Sequence, residues 1–136
     1  MSTIPSMPSS FRTTHSKAFL LAVLSASLFA LSWPGIGQFW VLILFAFLPL
    51  FWLHDWRLDG SLTNTSFIWF TALAFFLWNT SSVYFLFNIE ESVGIKLLSL
   101  LTPVVINTIW MTAVMVGFSK MVQKSKLLIG LPFLIC

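Results

Sequence analysis

Apolar residues fill this chain in long blocks that carry no acidic or basic side chain. No Asp, Glu, Lys, Arg or His occurs from Ala18 to Leu53, and the blocks Gly60 to Ile89, Leu97 to Ser119 and Leu127 to Cys136 are equally bare. The charges sit in short strips between these blocks, as the cost of placing ions in hydrocarbon demands. The pattern predicts an all-α fold, a polytopic bundle of transmembrane helices. A break at Trp33-Pro34-Gly35-Ile36-Gly37 divides the first block into a helical hairpin over 18–32 and 39–53. Two full spans are predicted over 67–87 and 97–119, with a partial helix over 127–136. The hairpin arms, at roughly 22 Å of helix each, are short against a hydrocarbon core of about 30 Å, whereas the next two blocks reach about 32 and 35 Å.

Residues 1–17, rich in Ser, Thr and Pro, have little to bury and are expected to form a mobile tail on the cytoplasmic side. Arg12 and Lys17 followed by an apolar run imitate a secretory signal peptide, but the second apolar arm argues for a retained hairpin. The last block stops without a polar flank, which is expected if the chain is cut inside a membrane helix. Pro49 and Pro103 each remove a backbone donor, so a kink is expected at each.

Composition agrees with the pattern: 8% of residues are charged and 58% hydrophobic, far more apolar surface than a soluble chain of 136 residues can hide. The net charge of +3 is spread over several segments and makes no nucleic-acid footprint. It reads instead as a topology signal. With the N-terminus inside, Arg12, Lys17, Arg57, Lys120, Lys124 and Lys126 are cytoplasmic and only Lys96 lies outside, beside Glu90 and Glu91.

Candidate chemistry is sparse. Cys136 is the sole cysteine, which excludes an intrachain disulfide, and its apolar neighbours offer no base or cation to activate a thiolate. His15 and His54 are far apart in sequence and suggest no metal site. Glu90 and Glu91 read as a solvated loop. No catalytic residue, metal ligand or cofactor is therefore expected within this chain. Polar residues within the spans are the sharper signal: Asn79, Thr80, Ser81 and Ser82 in the third, Asn107 and Thr108 in the fourth. Asn79, Ser82, Tyr84 and Asn107 are the candidates for intramembrane contacts or a polar pocket. Asn79 and Asn107 each lie 12 residues from the same expected surface, so their amides are expected at matching depth, turned inward and approaching each other or a shared polar neighbour.

The series Ala30-Leu31-Ser32-Trp33-Pro34-Gly35, Leu44-Phe45-Ala46-Phe47-Leu48-Pro49-Leu50 and Leu77-Trp78-Asn79-Thr80, continued by Val105-Ile106-Asn107, Met111-Thr112 and Leu131-Pro132-Phe133-Leu134-Ile135, resembles the N-terminal membrane portion of bacterial apolipoprotein N-acyltransferases, especially Bacteroidetes-type members. The resemblance extends over about residues 18–136. It implies an inner-membrane enzyme in which a nitrilase-like domain takes a fatty acyl group from a phospholipid donor and passes it to the N-terminal lipidated cysteine of a diacylglyceryl-apolipoprotein. The Cys, Glu and Lys of that domain correspond to nothing in this chain, so the chain is expected to be inactive alone and to serve as scaffold and lipid-facing wall. One departure is Ser82-Val83-Tyr84-Phe85, where such members tend to carry a pair of tryptophans. A small non-enzymatic membrane subunit fits the same composition. A four-span exporter fits less well, since proton-coupled export needs a carboxylate inside the membrane and all four acids lie between the blocks.

Overall fold

The computed structural model describes residues 9–33, 39–84 and 92–130, with side chains from Thr14 to Lys124. Five helices account for almost all of it: α1 (Ser9–Ser32), α2 (Leu42–Ala46), α3 (Leu48–Leu58), α4 (Asn64–Ser82) and α5 (Val93–Gly130). No strand occurs among the described residues. The helical content follows from long runs of Leu, Ala, Phe and Met, with a turn between α3 and α4 at Asp59-Gly60.

α1 and α4 form the centre. α1 packs against α2, α3 and α4, while α5 leans on α4. The buried stripe of α1, Ala18, Ala22, Ser25 and Phe29, is small at its first three positions, which lets neighbouring backbones approach closely. Phe29 then fills the middle of the bundle, edge-on to Phe47 at 4.9 Å and stacked on Trp78 at 4.7 Å between ring centroids. From α4, Phe67, Thr71, Ala74 and Phe75 face inward; from α5, Leu100, Val104, Met115 and Ser119 do so.

α2 and α3 are one helix interrupted at Phe47. The break belongs to Pro49 at the start of α3, which has no N–H to offer the Phe45 carbonyl one turn earlier and whose ring crowds it. The Ala46 carbonyl beside the break accepts a 2.7 Å hydrogen bond from the buried Ser25 hydroxyl of α1. Pro103, by contrast, sits inside a helix that continues through it. Between α3 and α4 the chain turns at Gly60, whose φ of +77° is left-handed and suits glycine. Leu62 N–H then returns to the Trp56 carbonyl, which sets the start of α4 beside the end of α3.

Helix boundaries differ from the charge pattern in a consistent way. α1 begins at Ser9, inside the expected tail, and residues 1–8 lie outside the described ones. α3 extends past the expected end at Leu53 to Leu58, and α4 ends at Ser82, before the expected 87. The stretch from Lys120 to Lys126, between the fourth and fifth expected spans, is helical rather than a loop: α5 runs unbroken from Val93 to Gly130, so the first residues of the fifth apolar block continue α5. Residues 131–136 are outside the described ones. Lys and Gln are good helix formers, and a helix leaving an apolar layer gains nothing by unwinding there.

Over Thr14–Ser32 and Val93–Lys124, α1 and α5 are long and apolar enough to cross a membrane. Their outward surface is apolar too. Trp110 is 69% exposed and Ile109 65%, with Leu98, Val105 and Ile106 beside them on α5 and Leu20 and Leu24 on α1.

Candidate functional site

The alternation of helix directions brings the start of α1, the end of α3, the start of α4 and the later part of α5 to one end of the bundle, where side chains from all four are tied by hydrogen bonds. His54 is buried at the end of α3, and its Nδ1 lies 2.6 Å from the hydroxyl of the fully buried Ser119 on α5. The rings of Phe67 and Phe118 flank the imidazole at 6.2 and 6.3 Å. One turn further along α3, the Arg57 guanidinium donates to Asn64 Oδ1 at 3.0 Å and makes a longer contact of 3.4 Å to the Ser119 carbonyl. It also rests on the face of Phe67, 5.4 Å from the centroid, a cation–π arrangement that fixes its plane.

A second small network lies at the same end. The Thr63 hydroxyl caps α4 by accepting from Ser66 N–H at 3.1 Å, and it donates to Ser66 Oγ at 2.9 Å. Ser66 Oγ is thereby directed toward His15 Nε2 of α1, 3.1 Å away. Both histidines thus serve as ties between helices that are distant in sequence.

A hydrogen-bonded Ser–His pair is also the core of a hydrolase triad. Here Ser119 has no accessible surface, so a substrate carbonyl has no approach to its Oγ, and Asp55 and Asp59 are exposed rather than oriented on the imidazole. The pair is structural. No group of three His, Cys, Asp or Glu side chains that would hold a metal ion occurs among the described residues.

The polar residues singled out along the sequence behave differently from that expectation. Asn79, Thr80, Ser81 and Ser82 form the last turn of α4 rather than its middle, and each bonds a carbonyl of its own helix. Asn79 Nδ2 donates to Phe75 O at 2.8 Å, Thr80 to Phe76 O at 2.8 Å, and Ser81 and Ser82 to Trp78 O at 2.7 and 3.0 Å. Such back-bonding satisfies the side-chain donors without a partner helix. Tyr84 is exposed just beyond it. Asn107 is exposed on α5, so the expected pairing of its amide with the buried Asn79 does not occur. Matching depth leaves rotation about the helix axis free, and the stripe that α5 turns inward, from Leu100 to Ser119, points about 80° away from Asn107 at 100° per residue. Glu90, Glu91 and Cys136 lie outside the described residues.

Two cavities adjoin this framework. A wholly apolar groove of about 230 Å³ opens between the interrupted helix and α5, lined by Phe47, Phe51, Phe75, Met111, Met115 and Phe118 among others. A second, of about 260 Å³ and partly polar, lies between α4 and α5 beside Arg57. No protein-family model, curated protein or solved structure matches the chain.

Proposed function

We propose that this chain is a membrane-embedded helical scaffold, the N-terminal membrane portion of an apolipoprotein N-acyltransferase. The observation that carries the membrane reading is an apolar exterior on helices long enough to cross a membrane, with the cations Arg57 and Lys120 gathered at one end of the bundle. Helices α1, α4 and α5 are apolar on nearly every face, which in a globular protein belongs to the centre of a large core. Here those faces point outward, far beyond the few hundred Å² of apolar patch that a soluble monomer exposes, and lipid is the solvent that fits them. The orientation that agrees with the basic residues puts the end carrying Arg57 and Lys120 in the cytoplasm.

The acyltransferase reading rests on the ordered strings from Ala30-Leu31-Ser32-Trp33-Pro34-Gly35 to Leu131-Pro132-Phe133-Leu134-Ile135. In that role the chain supplies no nucleophile. Acyl transfer needs an activated nucleophile with a base and oxyanion donors, and the Ser119–His54 pair is sealed. Its contribution is to hold a catalytic domain at the membrane, where the phospholipid donor and the lipidated acceptor both reside.

The test is complementation in bacteria depleted of apolipoprotein N-acyltransferase. Residues 1–136 alone restore no N-acylation, whereas the same residues, replacing the corresponding membrane portion of a complete N-acyltransferase, do. Acylation by the 136-residue chain alone, or an inactive hybrid that is abundant and membrane-inserted, contradicts the proposal.

A further inference from the structure

We infer that the partly polar pocket between α4 and α5 binds the phosphodiester of an anionic phospholipid at the end of the bundle that carries Arg57. Its polar rim is Arg57, Asn64, Lys120 and Gln123, two cations and two amides with no acidic side chain among them. Asp55 and Asp59, the nearest acids in sequence, do not line it and form no ion pair with Arg57 among the described residues.

Arg57 is preset for an anion. Its guanidinium is held by Asn64 Oδ1, the Ser119 carbonyl and the Phe67 face, so little rotamer freedom remains to be lost on binding. A guanidinium has five donors, and these contacts use two of them. Lys120 is exposed on the facing helix and brings a mobile ammonium to the same space.

The pocket is graded in polarity along the helix axes. Ile68 follows Asn64 by one turn on α4, and Val116 precedes Lys120 by one turn on α5, so both apolar side chains line the pocket about 6 Å deeper than the polar rim. A free phosphate has no use for that apolar floor. A phospholipid does: the phosphodiester meets the cations and the glycerol and first methylenes lie on Ile68 and Val116, as in basic pockets between membrane helices. The inference rests on the membrane reading but not on the acyltransferase one.

Native mass spectrometry of the full chain released from non-ionic detergent, with phosphatidylglycerol and phosphatidylcholine of identical acyl chains in equal amounts, reads the preference. Phosphatidylglycerol adducts are expected to dominate, and Lys120→Gln to lower the preference by about five-fold, the worth of one basic contact at a lipid surface. Arg57→Gln is expected to do the same; because Arg57 also ties α3 to α5, the exposed Lys120 carries the test if that variant fails to fold. Lys96→Gln, at the other end of α5, leaves the preference unchanged. Soluble glycerophosphoglycerol at millimolar concentration does not displace the lipid. Equal retention of the two lipids, an equal effect of Lys96→Gln and Lys120→Gln, or displacement by the soluble headgroup would each overturn the inference. Equal retention by a chain that still inserts into membranes leaves the membrane reading standing.

Discussion

Ser119 Oγ and His54 Nδ1, 65 positions apart, meet at 2.6 Å inside the bundle and make the polar link between α3 and α5. Apart from the Phe118 ring contacts to Phe51 and His54 and the Arg57 contact to the Ser119 carbonyl, little else joins these helices. Removing one member leaves the other buried with a lost partner, so Ser119→Ala is expected to destabilise by about 1–3 kcal/mol. The double change with His54→Phe is expected to cost less than the sum of the single ones, since the pair acts as a unit. Unfolding by SDS titration measures both, and strict additivity would show that the bond contributes nothing.

Two buried hydroxyls near the centre predict opposite responses. Ser25 donates to Ala46 O at the break between α2 and α3, so Ser25→Ala is expected to cost about 0.6–2 kcal/mol. The Thr71 hydroxyl is fully buried with no hydrogen-bond partner, so the isosteric Thr71→Val is expected to be neutral or stabilising. The same titration compares them; a larger loss for Thr71→Val than for Ser25→Ala would contradict the packing described.

The turn at Gly60 separates backbone strain from crowding. Nothing lies within 4 Å of the position a Cβ would occupy, yet φ is +77°. Gly60→Ala is therefore expected to cost about 1–2 kcal/mol from the left-handed backbone alone. Gly60→Asn is expected to cost less, because Asn tolerates that region better. Equal stability of Gly60→Ala and the parent chain would mean that the turn adopts another conformation.

Much of this architecture can be read along the chain, because the cost of ions in hydrocarbon is a one-dimensional rule. The charge-free blocks Ala18 to Leu53, Gly60 to Ile89 and Leu97 to Ser119 are helical over most of their described residues, α1 ends at Ser32 just before the Trp33-Pro34-Gly35 sequence, and Arg57 and Lys120 line one pocket as their shared flank position suggests. Charges mark where an apolar block ends, however, and not where a helix ends. That is why Lys120 to Lys126 are helical and why α3 carries His54 and Arg57 on its final turns. What could not be read is azimuth. Residue counting sets Asn107 level with Asn79, yet Asn107 is exposed, while Ser119 and His54 face each other only because two helices are rotated to suit. Alternating helix directions put residues 54–66 and 119–120 at one end. Choosing Ser119 among them requires the packing of α5 on α4, which apolar blocks without amphipathic asymmetry do not reveal.

The central claim is that lipid covers the apolar exterior while the two ends of α5 reach water on opposite sides. Single cysteines at Ser92, Ile109 and Lys124, in a Cys136→Ser background, test it by labelling intact cells with a membrane-impermeant thiol reagent. All three positions are exposed in the structure, so differences in labelling report the surroundings rather than burial. Ser92→Cys is expected to react in intact cells, Lys124→Cys only after permeabilisation, and Ile109→Cys in neither condition. Efficient labelling of Ile109→Cys would place water against the apolar face and contradict the membrane-embedded scaffold.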